Sequence, residues 1–370
     1  METEIQNKEL LISISERDGL KKESHQLPSW ELTERQLCDL ELILNGGFFP
    51  LKGFFGKKDY GSVIDNMRLA DGSFWPMPIT LDVDDEFANS ISNGDKITLR
   101  DHEGFALAVL SITDIWQPDI EKESQGVYGT MDETHSGVNY LFNIGHKNYV
   151  GGTLQGISLP HYYDYQDYRH TPAELKSIFE EKGWNKVVGF QTRNPLHKAH
   201  VEMTLQAAKE LDANLLIHPV VGMTKPGDVD HYTRVRCYQH VLKKYPNNSA
   251  MLSLLPLAMR MGGPREALWH ALIRKNYGCT HLIVGRDHAG PGNDKNGRPF
   301  YGPYDAQELL LKHQEEIGIE MVPFKFMVYL PSDDHYEEID EVRDGVEFKT
   351  ISGSELRHLL DKGKGIPEWF

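Results

Sequence analysis

The second half of the chain alternates between two patterns of hydrophobic and polar residues. From Thr171 onward, short runs of β-branched and aliphatic residues predict buried strands, and longer stretches between them predict helices. The predicted strands are residues 186–190, 213–219, 250–256, 280–285 and 320–330. The predicted helices are residues 199–211, 232–245, 264–277 and 305–316. Because strands and helices alternate, the pattern favours a parallel, Rossmann-like α/β sheet, which binds ligands beyond the carboxyl ends of its strands.

The remaining segments have different patterns. Residues 96–100 and 105–110 are strand-like runs that flank the turn Asp101-His-Glu-Gly104, and residues 78–83 alternate in the same way. This pattern predicts a β-barrel or sandwich with a few helices. Near the end, Ser352 followed three residues later by Glu355 resembles the start of a helix. We expect a β-rich domain over 1–165, a Rossmann-like domain over 166–326 and a small C-terminal domain over 327–370.

The ten residues Gln-Thr-Arg-Asn-Pro-Leu-His-Lys-Ala-His, 191–200, connect the first predicted strand of the Rossmann-like domain to its first helix. A strand–loop–helix order points free backbone N–H groups and the positive end of the helix dipole at a ligand above the loop, and anions bind there. Two imidazoles, one guanidinium and two amides lie in this segment without a carboxylate, on His197, His200, Arg193, Gln191 and Asn194. The segment predicts an anion site, with phosphate as the first candidate.

An alternative reading of His197 and His200 is a structural metal site or an ordinary helix start. The two histidines are three residues apart and share a helix face, as metal ligands often do. A metal would need further ligands and supporting carboxylates. The neighbouring groups are cationic and amide, which repel a metal and attract a phosphate, so the anion site is favoured.

A second candidate loop, residues 285–292, follows the fourth predicted strand and lies on the same edge of the sheet. Its glycines let the backbone approach a ligand closely, and Arg286 and His288 add hydrogen-bond donors. Asp287 is placed to accept from a ribose hydroxyl or to hold Arg286. Lys225, after the second strand, is a phosphate ligand or a solvated turn residue, and Arg260, after the third, is a weaker candidate.

Composition and net charge limit the classes of function that the chain can have. The 370 residues carry a net charge of −16, which argues against nucleic acid as a partner. No apolar run reaches the length of a membrane span, the start lacks the regions of a signal peptide, and the three cysteines are far apart, so a cytoplasmic protein with free thiols is expected. An anionic substrate then needs a locally positive site. We expect that local charge from Arg193, His197, His200, Lys225, Arg286 and His288.

Residues 191–200 resemble the signature of the ATP sulfurylase (sulfate adenylyltransferase) family, usually written Q-T-R-N-P-x-H-R-A-H. Further segments look like the same family at residues 38–48, 259–261, 273–278, 285–292, 301–307 and 351–357. The similarity runs from about residue 28 to the end and is closest to the eukaryotic, fungal-like branch. Lys198 replaces the usual Arg, and Ser354 replaces a common Thr. After Phe370 we expect no adenylylsulfate-kinase-like domain.

The resemblance implies a PUA-like, β-barrel-like N-terminal domain and a Rossmann-like nucleotidylyltransferase domain. It implies the reaction of MgATP with sulfate to give adenosine 5′-phosphosulfate and pyrophosphate, the activation step of sulfate assimilation, with Mg²⁺ entering as MgATP and no resident metal. It implies that sulfate is bound by Gln191, Arg193 and the backbone of Ala289. It implies that ATP is bound by Gln191, Thr192, Arg193, Asn194, Gly285, Arg286, Asp287, His288 and the backbone near Met327. Thr192, Arg193 and Asn194 are the family's catalytic positions, and the local electrostatics add His197 and His200 to the ATP-binding and catalytic sets.

Two other functions stay open at this point. Another H-x-G-H-type nucleotidylyltransferase would share the strand–loop–helix, but it would not explain Gln191 and Arg193, and Ala199 replaces its usual Gly. An RNA-binding module with an inactive site is the second alternative, and the net charge of −16 counts against it. The expected partners are therefore ATP and sulfate, or adenosine 5′-phosphosulfate and pyrophosphate in reverse, with no nucleic acid, no membrane and a homo-oligomeric assembly.

Overall fold

The computed structural model of the protein describes residues 9–225, 227–324, 326–350, 355–356, 358–359 and 362–369. The strands among them are β1 Ser29–Glu31, β2 Leu81–Val83, β3 Lys96–Arg100, β4 Ala106–Trp116, β5 Asn148–Gly156, β6 Val187–Phe190, β7 Asn214–Ile217, β8 Ala250–Leu252, β9 His281–Val284, β10 Glu320–Pro323, β11 Met327–Leu330 and β12 His335–Glu338. The α-helices are α1 Ile14–Ser24, α2 Glu34–Leu44, α3 Lys57–Asn66, α4 Asp85–Ser90, α5 Ile120–Glu123, α6 Ser136–Asn139, α7 Pro172–Glu181, α8 Lys198–Glu210, α9 His231–Leu242, α10 Gly263–Asn276 and α11 Asp305–Ile317. Within the described residues no helix is long and apolar enough to cross a membrane. The expected helix cap at Ser352 lies outside the described residues.

The N-terminal sheet contains the predicted hairpin. Its strand order is β1-β3-β4-β5-β2, with β1 parallel to β3 and the other neighbours antiparallel. The turn between β3 and β4 is closed by the bond from the Asp101 amide to the Phe105 carbonyl, 3.1 Å, and Gly104 adopts a φ of 85° there. The hairpin prediction is confirmed, whereas the predicted run 78–83 forms a strand only from Leu81.

The second sheet is fully parallel, as predicted, with the order β10-β9-β6-β7-β8. The connections from β6 to β7 and from β7 to β8 move outward on one side of β6. The connection from β8 to β9 then returns to the other side of β6. The order therefore reverses between β6 and β9, where Phe190 and Ile283 are paired. A crevice beyond the carboxyl ends of two such strands is where doubly wound sheets bind nucleotides. The loops that the sequence singled out follow these two strands.

The prediction of one strand over residues 320–330 is wrong in its second part. The parallel sheet ends with β10, and the chain leaves it after the Phe324 amide donates to the Val284 carbonyl, 2.9 Å. After two more residues β11, Met327–Leu330, begins, and it pairs antiparallel with β12. The sequence pattern does not reveal where the chain changes partners, because apolar residues occur on both sides of the change, Met321 and Val322 before it and Val328 and Leu330 after it. The hairpin contacts α8, where Gln206 Nε2 donates to Glu338 Oε1 at 3.4 Å.

Helix α10 is buried on all sides and joins the two sheets. The Arg265 guanidinium donates to backbone carbonyls of the N-terminal domain, among them Pro76 at 2.9 Å and Gly126 at 2.6 Å. At the other end of α10, Asn276 Nδ2 donates to the carbonyls of Gly47, 3.0 Å, and Phe49, 2.9 Å. These side chains thus bond to backbone carbonyl groups of the N-terminal domain at both ends of α10. The N-terminal domain therefore holds α10 in place, and α10 in turn supports the second sheet.

Replacing Asn276 by alanine tests this connection. Asn276→Ala leaves the Gly47 and Phe49 carbonyls without their donors, so the free energy of unfolding should fall by about 2 kcal/mol or more. The measurement is urea-induced unfolding followed by tryptophan fluorescence. Asn296→Ala, at an exposed turn, is the matched control and should change the unfolding free energy by less than about 0.5 kcal/mol. Equal effects of the two substitutions would contradict a linking role for Asn276.

Candidate active site

The loops after β6 and β9 meet in one cavity of about 380 Å³. Its walls are formed by Phe190, Gln191, Thr192, Arg193, Asn194, His200, Met259, Ile283, Gly285, Arg286, Asp287, His288, Ala289, Tyr304, Phe324 and Phe326. An adjoining cavity of about 410 Å³ shares Arg193, Arg286, Asp287 and His288 and adds Lys225. A larger cavity of about 690 Å³ contains no residue of either loop, so the predicted chemistry converges on the two smaller ones.

Two of the predicted site residues are next to the cavity rather than on its wall. His197 is the residue before α8, and its ring lies 3.8 Å from that of His200, centroid to centroid. Met327 begins β11, directly after the lining residue Phe326. The structure therefore places the rest of the predicted residues together and these two immediately behind them.

The loop after β6 is held by a local turn. Thr192 is buried, its hydroxyl accepts from the Asn194 amide at 3.0 Å, and the same hydroxyl lies 3.0 Å from the Asn194 carbonyl. The Tyr238 hydroxyl, from α9, donates to that carbonyl at 2.8 Å. The Val220 amide donates to the Thr192 carbonyl at 3.1 Å. The backbone around Arg193 is therefore fixed from two neighbouring elements before any ligand binds.

Arg193 has a carboxylate partner that the sequence did not indicate. Its Nη1 donates to Asp228 Oδ2 at 2.7 Å, and the same oxygen accepts from the Lys225 amide at 3.2 Å. Lys225 Nζ reaches across to the Pro291 carbonyl at 2.7 Å, so this segment connects the two loops. A guanidinium has five N–H donors in a planar fork. Arg193 can therefore bind an anion while Asp228 holds one edge of the fork.

The histidines of the site are neutral, which corrects one expectation. Burial lowers the pKa of His197 to about 2, with His200 adding to the shift, and burial lowers the pKa of His200 to about 4. Burial, followed by the neighbouring His270, Arg274 and Arg193, holds the pKa of His288 well below its usual range. At neutral pH these imidazoles supply N–H donors and lone pairs but no charge. The local positive charge comes from Arg193, Lys225 and Arg286.

The loop after β9 has an unusual backbone. Asp287 and Ala289 both have a φ of 53°, in the left-handed region that residues with a Cβ rarely adopt. The Asp287 amide donates to the Pro303 carbonyl at 2.9 Å, and the Ala289 carbonyl accepts from the Gly263 amide, at the start of α10, at 3.1 Å. These bonds hold both strained residues in place, and residues held in this way cluster at ligand sites. The Arg286 and Asp287 side chains are exposed and lie 3.4 Å apart.

A buried polar chain lies behind both loops. His270 Nδ1 is 3.0 Å from His288 Nε2, and His270 Nε2 is 3.1 Å from Glu266 Oε1. Gln191 Nε2 lies 3.5 Å from His270 Nε2. Glu266 and His270 are fully buried on α10. The residues that line the cavity are thus connected to the core helix that joins the two domains.

One further candidate residue from the sequence, Arg260, does not form part of the cavity. Arg260 is buried and forms an ion pair with Asp39 of α2, so the expectation that it reaches the ligand is wrong. Around His197 and His200, as in the rest of the described residues, no group of three His, Cys, Asp or Glu side chains is placed to hold a metal ion. The anion-site hypothesis remains.

Comparison with known proteins agrees with this geometry. The ATP-sulfurylase family model matches residues 166–370, and a PUA-like domain model matches residues 3–159. The chain belongs to the ATP-sulfurylase family. The sulfate adenylyltransferase of Mycosarcoma maydis is 58% identical over 354 residues, which cover 95% of this chain and 62% of that protein. The sulfate adenylyltransferase of Saccharomyces cerevisiae is 53% identical over 370 residues, covering 98% of this chain and 72% of that protein.

A solved structure shares the fold. The structure titled hexameric APS kinase from Thiobacillus denitrificans matches with a TM-score of 0.79 and 30% sequence identity, covering 98% of this chain and 64% of that chain. The chain spans about 62% of the length of the first fungal relatives it matches. The resemblance drawn from the sequence motifs, to the fungal-like branch of the ATP-sulfurylase family, is confirmed.

Sequence reasoning missed Asp228, Glu266 and His270. The sequence contains no local signal for Asp228, because its partner Arg193 is 35 residues away in the chain. A signal for the other two was present: Glu266 and His270 are four residues apart in the predicted helix 264–277, so they share one face of it. Buried polar side chains need partners, so a Glu and a His at this spacing in a buried helix indicate a hydrogen-bond network.

The neutral state of His200 predicts a pH dependence of stability. Its pKa in the fold is about 4, below the ordinary 6.5, so the unfolded chain binds more protons between these values. The stability it contributes is present above pH 6.5 and is lost as the pH falls towards 4. In His200→Gln the free energy of unfolding should fall less steeply through this window, by at most about 1.4 kcal/mol per pH unit. Urea unfolding at several pH values measures the slope.

The matched control for this experiment is His161→Gln, which removes an exposed imidazole. Its unfolding free energy should follow the slope of the unsubstituted protein. An unchanged slope in His200→Gln would show that His200 is protonated as easily in the fold as in the unfolded chain.

Proposed function

We propose that the chain catalyses the reaction of MgATP with sulfate to give adenosine 5′-phosphosulfate and pyrophosphate. The observation that carries this proposal is the convergence of residues 191–194 and 285–289 on one cavity, at the point where the strand order reverses. The fungal proteins that the chain resembles at 53–58% identity are named sulfate adenylyltransferases. The first line of support concerns the two loops, and the second extends over nearly the whole chain.

The reaction that we propose needs no general base. A sulfate oxygen is already an anion and forms a bond to the α-phosphorus, while the bond from that phosphorus to the bridging oxygen breaks and pyrophosphate leaves. The absence of a carboxylate in residues 191–200 fits this chemistry. Two anions that repel each other must be held in line, so positioning supplies much of the catalysis. Negative charge then grows on the α-phosphoryl and leaving oxygens, where fixed donors stabilise it.

Sulfate would be bound by Gln191, Arg193 and the amide of Ala289. Arg193 offers two parallel N–H donors to two sulfate oxygens, and Asp228 keeps the guanidinium from turning away. The Ala289 carbonyl is directed to the Gly263 amide, which fixes the orientation of the adjoining peptide planes in this loop. The net charge of −16 would oppose the approach of sulfate, and Arg193, Lys225 and Arg286 reverse the sign locally.

ATP would be bound by residues 191–194, by Gly285 through His288, and by the backbone near Met327. Neutral His197 and His200 suit this role, because they donate N–H groups to phosphate without repelling the Mg²⁺ that enters with ATP. Thr192, Arg193 and Asn194 would act as catalytic residues with them. Mg²⁺ would enter as part of the MgATP substrate and neutralise charge on the phosphates.

The setting of the enzyme is also a proposal. We propose that it is located in the cytoplasm, based on the composition, the free cysteines and the ATP substrate. We propose a homo-oligomer, supported by the neighbour whose title calls it hexameric. Another type of nucleotidylyltransferase and an RNA-binding module are not favoured, since the family matches span both halves of the chain.

The first test of the function is pyrophosphate release from ATP, coupled to a pyrophosphatase that removes the product. Release should require both sulfate and Mg²⁺, because the anion is the nucleophile and the cation neutralises the phosphates. Molybdate is a tetrahedral dianion whose adenylyl product hydrolyses, so it should replace sulfate and yield AMP. Release that is indifferent to both anions would exclude the sulfate assignment and favour a different nucleotidylyltransferase.

The second test concerns Arg193. Arg193→Lys keeps the charge but loses the planar fork, so the KM for sulfate should rise about 10- to 100-fold, the range for a lost hydrogen bond between charged groups. ATP affinity, measured by calorimetry, should change far less. Arg236→Lys, on the exposed face of α9, is the matched control and should leave both values unchanged. An unchanged sulfate KM in Arg193→Lys would show that Arg193 does not bind the nucleophile, and it would favour a sulfate site nearer to Arg286.

A further inference from the structure

A second cavity, of about 410 Å³, adjoins the cavity in which ATP and sulfate would react. The two cavities meet along a shared wall, which is formed by Arg193, Arg286, Asp287 and His288. The other walls of the second cavity include Lys225 and parts of the segment 290–303. The reaction proposed above gives this space no role.

The second cavity has more positive charge on its walls than the first. Its cationic side chains are Arg193, Lys225 and Arg286. The first cavity shares the two guanidinium groups but not the ammonium group. Among the described residues that line the second cavity, Asp287 is the only carboxylate, and it lies 3.4 Å from Arg286. An excess of cations on a concave surface attracts anions.

Lys225 is fixed on this wall by several contacts. Its Nζ donates to the Pro291 carbonyl at 2.7 Å, and its backbone amide donates to Asp228 Oδ2 at 3.2 Å. Gly292 leaves room for the ammonium group, because a Cβ there would lie only 3.3 Å from Nζ. The φ of 103° at Gly292 also favours glycine. An ammonium has three N–H donors, so the bond to Pro291 leaves two of them for an anion.

The three cations lie at different depths. The Arg286 side chain is 60% exposed, Lys225 is half-buried, and the Arg193 side chain is only 22% exposed. An anion that enters the second cavity from solvent would therefore meet Arg286 and Lys225 before it reaches Arg193. Arg193 also lines the first cavity, so the path ends where the reaction would take place.

The second cavity lies on the sulfate side of the first. Arg193 and Gly290 line it, and Gly290 adjoins Ala289, whose amide is proposed to bind sulfate with Arg193. His200, proposed to bind the phosphates, lines the first cavity and not the second. In an in-line displacement, pyrophosphate leaves from the face of the α-phosphorus opposite to the sulfate. The second cavity therefore opens towards the nucleophile and not towards the leaving group.

Bound ATP would block the direct route to the sulfate site. The first cavity, of about 380 Å³, is near the lower end of the size range of small-molecule pockets, so the nucleotide would fill it. A sulfate ion that arrives after ATP then needs a different approach. The second cavity provides one, because it reaches Arg193 from another side.

We propose that the second cavity is the entry route for the anionic nucleophile, and that Lys225 and Arg286 bind sulfate there before it passes to Arg193. The ligand class is a small tetrahedral oxyanion, such as sulfate or molybdate. Lys225 is thus a substrate-binding residue for the approach of the anion. This inference rests on the proposed function, since it concerns the nucleophile of that reaction.

The test is Lys225→Met in the full chain, which keeps the length of the side chain and removes its charge. At saturating MgATP, kcat/KM for sulfate should fall about 10-fold or more, because local charge raises the arrival rate of an anion by about 10- to 1000-fold. The loss should shrink in about 1 M KCl, where the screening length is about 3 Å. The KM for ATP should change less than about threefold. Lys225→Arg keeps the charge and a donor for the Pro291 carbonyl, so it should recover most of the sulfate kcat/KM.

The matched control is Lys295→Met, which removes an exposed charge from the same segment without altering the cavity wall. It should change the sulfate kcat/KM less than about twofold. Equal losses in Lys225→Met and Lys295→Met would overturn the entry route, and so would an ATP KM that rises by the factor that sulfate kcat/KM loses. A raised KM for pyrophosphate in the reverse reaction, with sulfate kcat/KM unchanged, would assign the second cavity to the leaving group instead. An unsubstituted chain without sulfate-dependent pyrophosphate release would refute the proposed function itself.

Discussion

The structure depends on a buried helix that carries charged side chains. Helix α10 is surrounded by both sheets, and its arginines, glutamate and histidine have no water to bind them. Burying such groups is costly unless each finds a partner. Arg265 finds carbonyls of the N-terminal domain, Arg274 finds the His218 carbonyl at 3.1 Å, and Glu266 finds backbone amides and His270. These hydrogen bonds hold the two domains in one arrangement. The bonds of Glu266 and His270 continue to the loops of the candidate site.

The burial of the imidazoles also determines which side chains of the site carry positive charge. Imidazoles next to a phosphate would be expected to carry positive charge, but here burial keeps them neutral. Fixed positive charge is left to Arg193, Lys225 and Arg286, and the first of these is held by Asp228. A site of this kind attracts anions through a few cations at its rim and orients them with neutral donors behind. It can therefore be positive locally in a protein whose net charge is −16.

Much of the fold and part of the site could be predicted from the sequence. Strands β6 and β9 were visible as short apolar runs, and the rule that parallel strands end on one edge placed their two loops together. The rest depended on contacts between distant residues. Nothing local pairs Arg193 with Asp228, or shows that Arg260 is occupied by Asp39. Nor does an apolar run show that the chain leaves the parallel sheet after Phe324 to form a separate hairpin.

The Glu266–His270 pair connects the fold to the chemistry. Glu266 accepts from the Arg260 and Gly262 amides and lies beside His270. His270 in turn is 3.0 Å from His288, which lines the cavity. The amides are placed by the turn that joins β8 to α10. A chain of buried polar contacts thus extends from the backbone next to a core helix to a side chain on the cavity wall, although neither Glu266 nor His270 lines that cavity.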